Sequence, residues 1–82
     1  MFATMKEGAI GAPRLENRLR LARAERGLSQ EQLASLAGVT RQTISSIETV
    51  QYVPSALLAF LLAERLRKPV DDLFTLVEGG VP

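Results

Sequence analysis

The chain has 82 residues, 46 % hydrophobic and 23 % charged, a formal net charge of +1, and neither cysteine nor histidine. That length allows one domain with one modest core. The missing residue types exclude disulfide frameworks, cysteine or histidine metal sites and histidine-based acid–base catalysis. No apolar run approaches the roughly 18–20 residues needed to cross a bilayer. The opening MFATMKEGAIGAPR lacks the charged start and continuous apolar stretch of a secretory signal. The expected location is the reducing cytoplasm, with no membrane partner. Charge is unevenly placed: from Arg14 to Arg41 six arginines face three glutamates, whereas the remainder has four basic against six acidic residues. The first part suits a polyanion and the second does not.

In chain order, residues 1–13 contain Gly8, Gly11 and Pro13 and read as a loosely held arm. Helical periodicity starts near Arg14, with Leu15, Leu19 and Ala22 at i, i+4, i+7. Gly27 is placed to stop this first helix. Ser29 can cap a second, and Gln32 three residues on completes a capping-box pattern. Leu33, Ala34 and Ala37 line its inner face, and Gly38 ends it. Val39 occupies the turn, and Thr40 caps a third helix, Arg41 to about Glu48, which buries Ile44 and Ile47. After the loop Thr49 to Pro54, Ser55 can cap a fourth helix reaching about Arg67, which Pro69 ends. Asp71 begins a short fifth helix with Leu73 and Phe74 turned inward. The tail carries Gly79 and Gly80. The expectation is an all-α fold of five short helices, with a domain over 14–75 and a tail over 76–82. Segments 1–8 and 74–78 have enough β-branched and aromatic character to pair as edge strands.

The informative constellation is Ser29-Gln30-x-x-Leu33-Ala34-x-x-Ala37-Gly38-Val39-Thr40-x-x-x-Ile44-Ser45-x-x-Glu48. It describes two helices of about two turns joined by a tight turn in which glycine permits φ > 0. Ala34 lets the helices approach, while Val39, Ile44 and Ile47 anchor the later one. Its outer face keeps Arg41, Gln42, Ser45 and Ser46, a helix able to enter a major groove. Arg41 can grip guanine O6 and N7 with two bonds, and Gln42 can grip adenine N6 and N7.

Over residues 15–74 the chain resembles the Cro and phage-repressor type of helix-turn-helix protein, the XRE family. The resemblance is carried by Arg23-x-x-x-Gly27-Leu28-Ser29-Gln30, by Gly38-Val39-Thr40-Arg41-Gln42-Thr43-Ile44-Ser45, and by the trailing Pro54-Ser55 and Val70-Asp71-Asp72-Leu73-Phe74. It implies a five-helix lambda-repressor-like DNA-binding domain with the helix-turn-helix at helices 2 and 3. It implies that Thr40, Arg41, Gln42 and Ser46 face base edges, and that Ser29, Gln30, Thr43, Ser45 and Thr49 lie at phosphates. Gln30 would also brace the recognition helix. It implies an ion pair between Arg23 and Glu48 that holds the first helix to the end of the third. The chain departs from the family after the glutamate, where Asn-Gly is frequent and Thr49-Val50 stand here.

The stretch Ala56 to Ala63 has no polar residue, whereas a surface helix should have one polar face. Leu58, Leu62 and Leu66 form one stripe, and Leu57 and Leu61 form a second about 100° away. Something must cover that second stripe. The candidates are a second copy of the chain, the N-terminal arm folding back, or a further domain of a longer protein. The second copy is the expected one, with Leu57, Phe60 and Leu61 at the interface. The expected function is therefore a sequence-specific regulator of transcription, a repressor binding a palindromic operator in double-stranded DNA as a homodimer. The alternative is an antitoxin-like or adaptor protein that uses the same fold to bind protein. No enzymatic activity, metal, cofactor or small-molecule ligand is expected. Asp71-Asp72, an adjacent acidic pair, suits the first turn of a helix.

Overall fold

A computed structural model of the chain describes residues 13–78. The expected arm therefore lies almost wholly outside the described residues, as do Gly79 and Gly80 of the tail. The elements in chain order are strand β1 (Arg14–Asn17), helices α1 (Leu19–Glu25), α2 (Gln30–Ala37), α3 (Arg41–Glu48), α4 (Ala56–Leu66) and α5 (Val70–Leu73), and strand β2 (Phe74–Val77).

The five helices are present, but the all-α expectation is corrected by a two-stranded antiparallel sheet. It pairs Arg14 with Val77, Leu15 with Leu76, Glu16 with Thr75 and Asn17 with Phe74. The first helix consequently begins at Leu19 rather than near Arg14. Leu15 and Leu19 satisfy an i, i+4 helical spacing, but β2 offers Arg14–Asn17 a hydrogen-bonding edge that local propensity does not reveal. Segment 74–77 is the strand expected there, and its partner is 14–17. The other expected edge strand, 1–8, falls outside the described residues.

Local chemistry sets the helix ends. The Ser29 hydroxyl accepts from the Gln32 amide at 3.0 Å while the Gln32 side chain accepts from the Ser29 amide at 2.8 Å. Thr40 and Ser55 cap α3 and α4 in the same manner, accepting from the amides of Thr43 and Leu58. At the other ends, α1 and α2 close through left-handed glycines, Gly27 at φ +66° and Gly38 at φ +72°. In both, an amide beyond the glycine reaches back to a helical carbonyl: Leu28 to Arg23, and Val39 to Ala34. Helix α4 makes this closure with Arg67, at φ +56°. Helix α5 starts at Val70, one residue before the expected Asp71, after Pro69, whose fixed φ suits the position.

One core serves all the helices. Leu19, Leu33, Ile44, Ile47, Leu62, Leu66 and Leu73 are fully buried, and Ala22, Ala34 and Ala37 let α1, α2 and α3 approach one another. Each large side chain in that set contributes about 1.5–3 kcal/mol of burial. Asn17 joins the sheet to the helices. Its side-chain oxygen accepts from the Leu19 amide, and its side-chain nitrogen donates to the carbonyl of Ile47, both at 3.0 Å. The start of α1 is thereby tied to the last turn of α3.

Candidate nucleic-acid interface

Helix α3 presents two faces. Ile44 and Ile47 are buried to 0 % exposure, which fixes the helix's rotation about its own axis. With the inner face fixed, the helical period leaves Arg41 and Gln42 exposed and Thr43, Ser45 and Ser46 half-buried. The Gln42 side-chain nitrogen donates to the Ser46 hydroxyl at 3.2 Å, one turn on. Thr40 is exposed at the start of the helix, and its hydroxyl lies 3.0 Å from that of Thr43. Arg41 makes no ion pair or side-chain hydrogen bond among the described residues.

The last turn of α3 is held by one carboxylate. Glu48, with a side chain only 4 % exposed, takes Arg23 Nε on Oε2 at 2.7 Å and Arg23 Nη2 on Oε1 at 3.2 Å. The Gln30 amide nitrogen also donates to Oε1, at 3.1 Å. The fourth contact, from Arg23 Nη1 to the Leu28 carbonyl at 2.9 Å, ties in the loop that precedes α2. The hydrogen bond to Glu48 holds the Arg23 guanidinium above its ordinary pKa, against the opposing effect of burial. Helices α1, α2 and α3 therefore meet on one ionic group.

Beyond Glu48 the chain turns at Thr49 and Val50. The Thr49 hydroxyl donates to the Ser45 carbonyl at 2.9 Å, so its proton points back along α3. Val50 stands at φ +61°, the left-handed conformation that glycine adopts without strain. The Asn-Gly departure thus leaves the tight turn in place and puts a β-branched residue in it. The amides of Gln51 and Tyr52 both donate to the Ser46 carbonyl, at 2.8 and 3.2 Å, which completes the end of the helix.

Ser29, Gln30, Arg41 and Thr49 border one cleft, whose remaining wall includes Arg20 of α1. In the sequence Arg20 is one of several basic residues between Arg14 and Arg41. Its signal was its place three residues before Arg23, on the same side of α1. Leu57, Phe60 and Leu61 lie on α4, away from that cleft's lining. Leu57 is 79 % and Phe60 61 % exposed, whereas Leu61 is half-buried against the core. Among the described residues no three acidic, histidine or cysteine side chains come together to hold a metal, and no helix is long and apolar enough to cross a membrane.

A family model for the helix-turn-helix matches residues 19–73. The chain is 42 % identical over 64 residues to the uncharacterized HTH-type transcriptional regulator YgzD of Bacillus subtilis, covering 78 % of this chain and 97 % of that protein. It is 48 % identical over 63 residues to an uncharacterized HTH-type transcriptional regulator of Methanothermobacter thermautotrophicus, covering 76 % and 91 %. Among solved structures, it is similar to the restriction-modification controller protein C.AhdI from Aeromonas hydrophila. That likeness has a TM-score of 0.64 and 36 % identity, and covers 67 % of this chain and 80 % of the other. Two turns of anchored, outward-polar helix behind a glycine turn, matched at this length, place the chain in the XRE-type family of helix-turn-helix DNA-binding transcriptional regulators.

Proposed function

We propose that the chain is a sequence-specific repressor that binds a palindromic operator in double-stranded DNA as a homodimer, and that it acts in the cytoplasm by occlusion. The observation that carries this reading is the outer face of α3, where Arg41 and Gln42 are exposed above a helix immobilised by Ile44, Ile47 and Glu48. In this reading Thr40, Arg41, Gln42 and Ser46 face bases. Each bidentate arginine or glutamine contact discriminates by about 1–3 kcal/mol. Ser29, Gln30, Thr43 and Ser45 contact phosphates. Thr49 joins them once its hydroxyl rotates away from the Ser45 carbonyl. The Gln42–Ser46 hydrogen bond aligns the glutamine before DNA arrives and is exchanged for a base contact on binding. Catalysis, cofactor and small-molecule ligand have no part in the proposal.

The dimer is supported by Leu57 and Phe60, large apolar side chains left in water on a helix with almost no polar face. A two-fold pair built on that face would present two α3 helices to half-sites about one DNA turn apart. The same exposed residues favour the second reading, an antitoxin-like or adaptor protein with another protein as its main partner. Selection of bound duplexes from a random pool, at stated salt, separates the two. A palindrome with half-sites about 10 base pairs apart is expected. Failure to enrich any motif, together with a monomer at tens of micromolar in sedimentation, would favour the adaptor.

A further inference from the structure

We propose that Arg20 binds a phosphate of the DNA backbone in the cleft that it shares with Arg41. The inference rests on the chain binding double-stranded DNA, and it assigns a residue outside the helix-turn-helix itself. Arg20 and Arg23 stand three residues apart on one side of α1 and border the same cleft. They are not equivalent. Arg23 commits three nitrogens to Glu48 and the Leu28 carbonyl, and its charge is cancelled. Arg20 is exposed and has no ion pair or side-chain hydrogen bond among the described residues. Arg41, also on the cleft, is in the same condition.

With the Arg23–Glu48 pair discounted, the cleft retains two guanidinium groups against the single carboxylate of Glu31. That carboxylate lies within 4 Å of neither arginine, since no such ion pair forms. Unpaired positive charge bordering one cleft makes it attractive to an anion, and Arg20 is the cation there that base reading leaves uncommitted. The guanidinium fork, with its parallel donors, matches the oxygens of a phosphodiester. The setting favours backbone over base. Arg41 is the first residue of α3, and Arg20 reaches the same cleft from α1, outside the helix assigned to the bases. The competing possibility is that Arg20 adds only diffuse positive charge from a solvated helix face.

The test is titration of the full chain against its selected duplex and a scrambled duplex over a range of salt concentrations, with melting followed in parallel. Arg20→Ala is expected to weaken both duplexes by the same factor, roughly threefold to tenfold near 0.1 M salt, and to lower the slope of log K against log salt by about 0.9. Melting should be unchanged, because the side chain is exposed. Arg20→Lys should recover the slope. Arg26→Ala, which removes the same charge from the end of α1 outside the cleft, should move the slope by less than half as much. Equal effects of Arg20→Ala and Arg26→Ala would overturn the proposal, as would a loss confined to the selected duplex. If wild type binds DNA and Arg20→Ala is indistinguishable from it, only the phosphate contact fails. If wild type binds neither duplex, the contact and the DNA-binding reading beneath it fail together.

Discussion

The two ends of α3 are built by different means. At its start the chain is relaxed: Gly38 takes the left-handed turn, Thr40 caps the first amides, and every local choice agrees with the conformation adopted. At its finish the backbone is strained, with β-branched Val50 in a left-handed turn that asks for glycine. Side chains from three other elements compensate there: Arg23, Gln30 and Asn17 all bond within the last turn or its terminal glutamate. The comparison teaches that a recognition helix can be fixed by backbone fit at one end and by a side-chain lock at the other. Perturbations at the two ends should therefore differ in size and kind.

The largest expected effect lies in the lock. Glu48→Ala leaves the Arg23 guanidinium without its carboxylate and Gln30 without its acceptor. Breaking a largely buried pair in this way should cost about 3 kcal/mol, the low end of the range for buried ion pairs because Arg23 keeps one edge in solvent. For a domain this size that corresponds to a fall in Tm of roughly 12 °C or more. A double-mutant cycle of Glu48→Ala with Arg23→Ala, read by thermal melting, isolates the pair. Additive losses would mean that the Arg23–Glu48 pair contributes nothing to holding α3.

Next comes the relaxed end. Gly38→Ala meets no steric obstacle, since a Cβ built there has nothing within 4 Å. Its cost is conformational, about 1 kcal/mol once the stiffer unfolded chain is credited against the left-handed penalty. Thr40→Ala removes the cap and should also cost about 1 kcal/mol. The measurement is denaturant midpoint at constant m-value. A loss at Gly38 as large as that for Glu48→Ala would erase the distinction between the two ends.

These ends also differ in how far they could be read from sequence. Caps and glycine turns are local. Ser29 with Gln32, Thr40, Ser55, Gly27 and Gly38 lie within a few residues of the groups they serve, so spacing alone exposes them. The outward placement of Arg41 and Gln42 follows from the period once Ile44 and Ile47 are assigned inward. The strand β1 was not legible, because Leu15 fits a helical stripe as well as a strand and its partner Leu76 is some sixty residues away. Asn17 was missed for the same reason: it reads as a polar residue near a helix start, and only the folded chain brings the Ile47 carbonyl to it. Arg20 stands apart from the other arginine of α1 only in the folded chain, where it borders the cleft and, unlike Arg23, has no carboxylate partner among the described residues.

The smallest effect is expected to have the opposite sign, and it probes the strained finish directly. Val50 is 59 % exposed, so removing its side chain sacrifices little burial. A non-glycine residue in the left-handed region costs about 1–2 kcal/mol. Glycine loses roughly 0.5–1 kcal/mol more conformational entropy on folding. Val50→Gly should therefore stabilise the chain by about 0.5–1 kcal/mol and raise Tm by a few degrees. Val50→Ala, which relieves the β-branch but not the Cβ, should fall between the two. A drop in Tm for Val50→Gly would show that the valine side chain holds the turn by packing. The strain at the finish of α3 would then be maintained by the loop itself rather than tolerated through Glu48. In the Glu48→Ala background the two accounts diverge further. If the lock is what keeps Val50 in place, its removal lets the turn relax, and Val50→Gly should add less stability there than it adds to wild type.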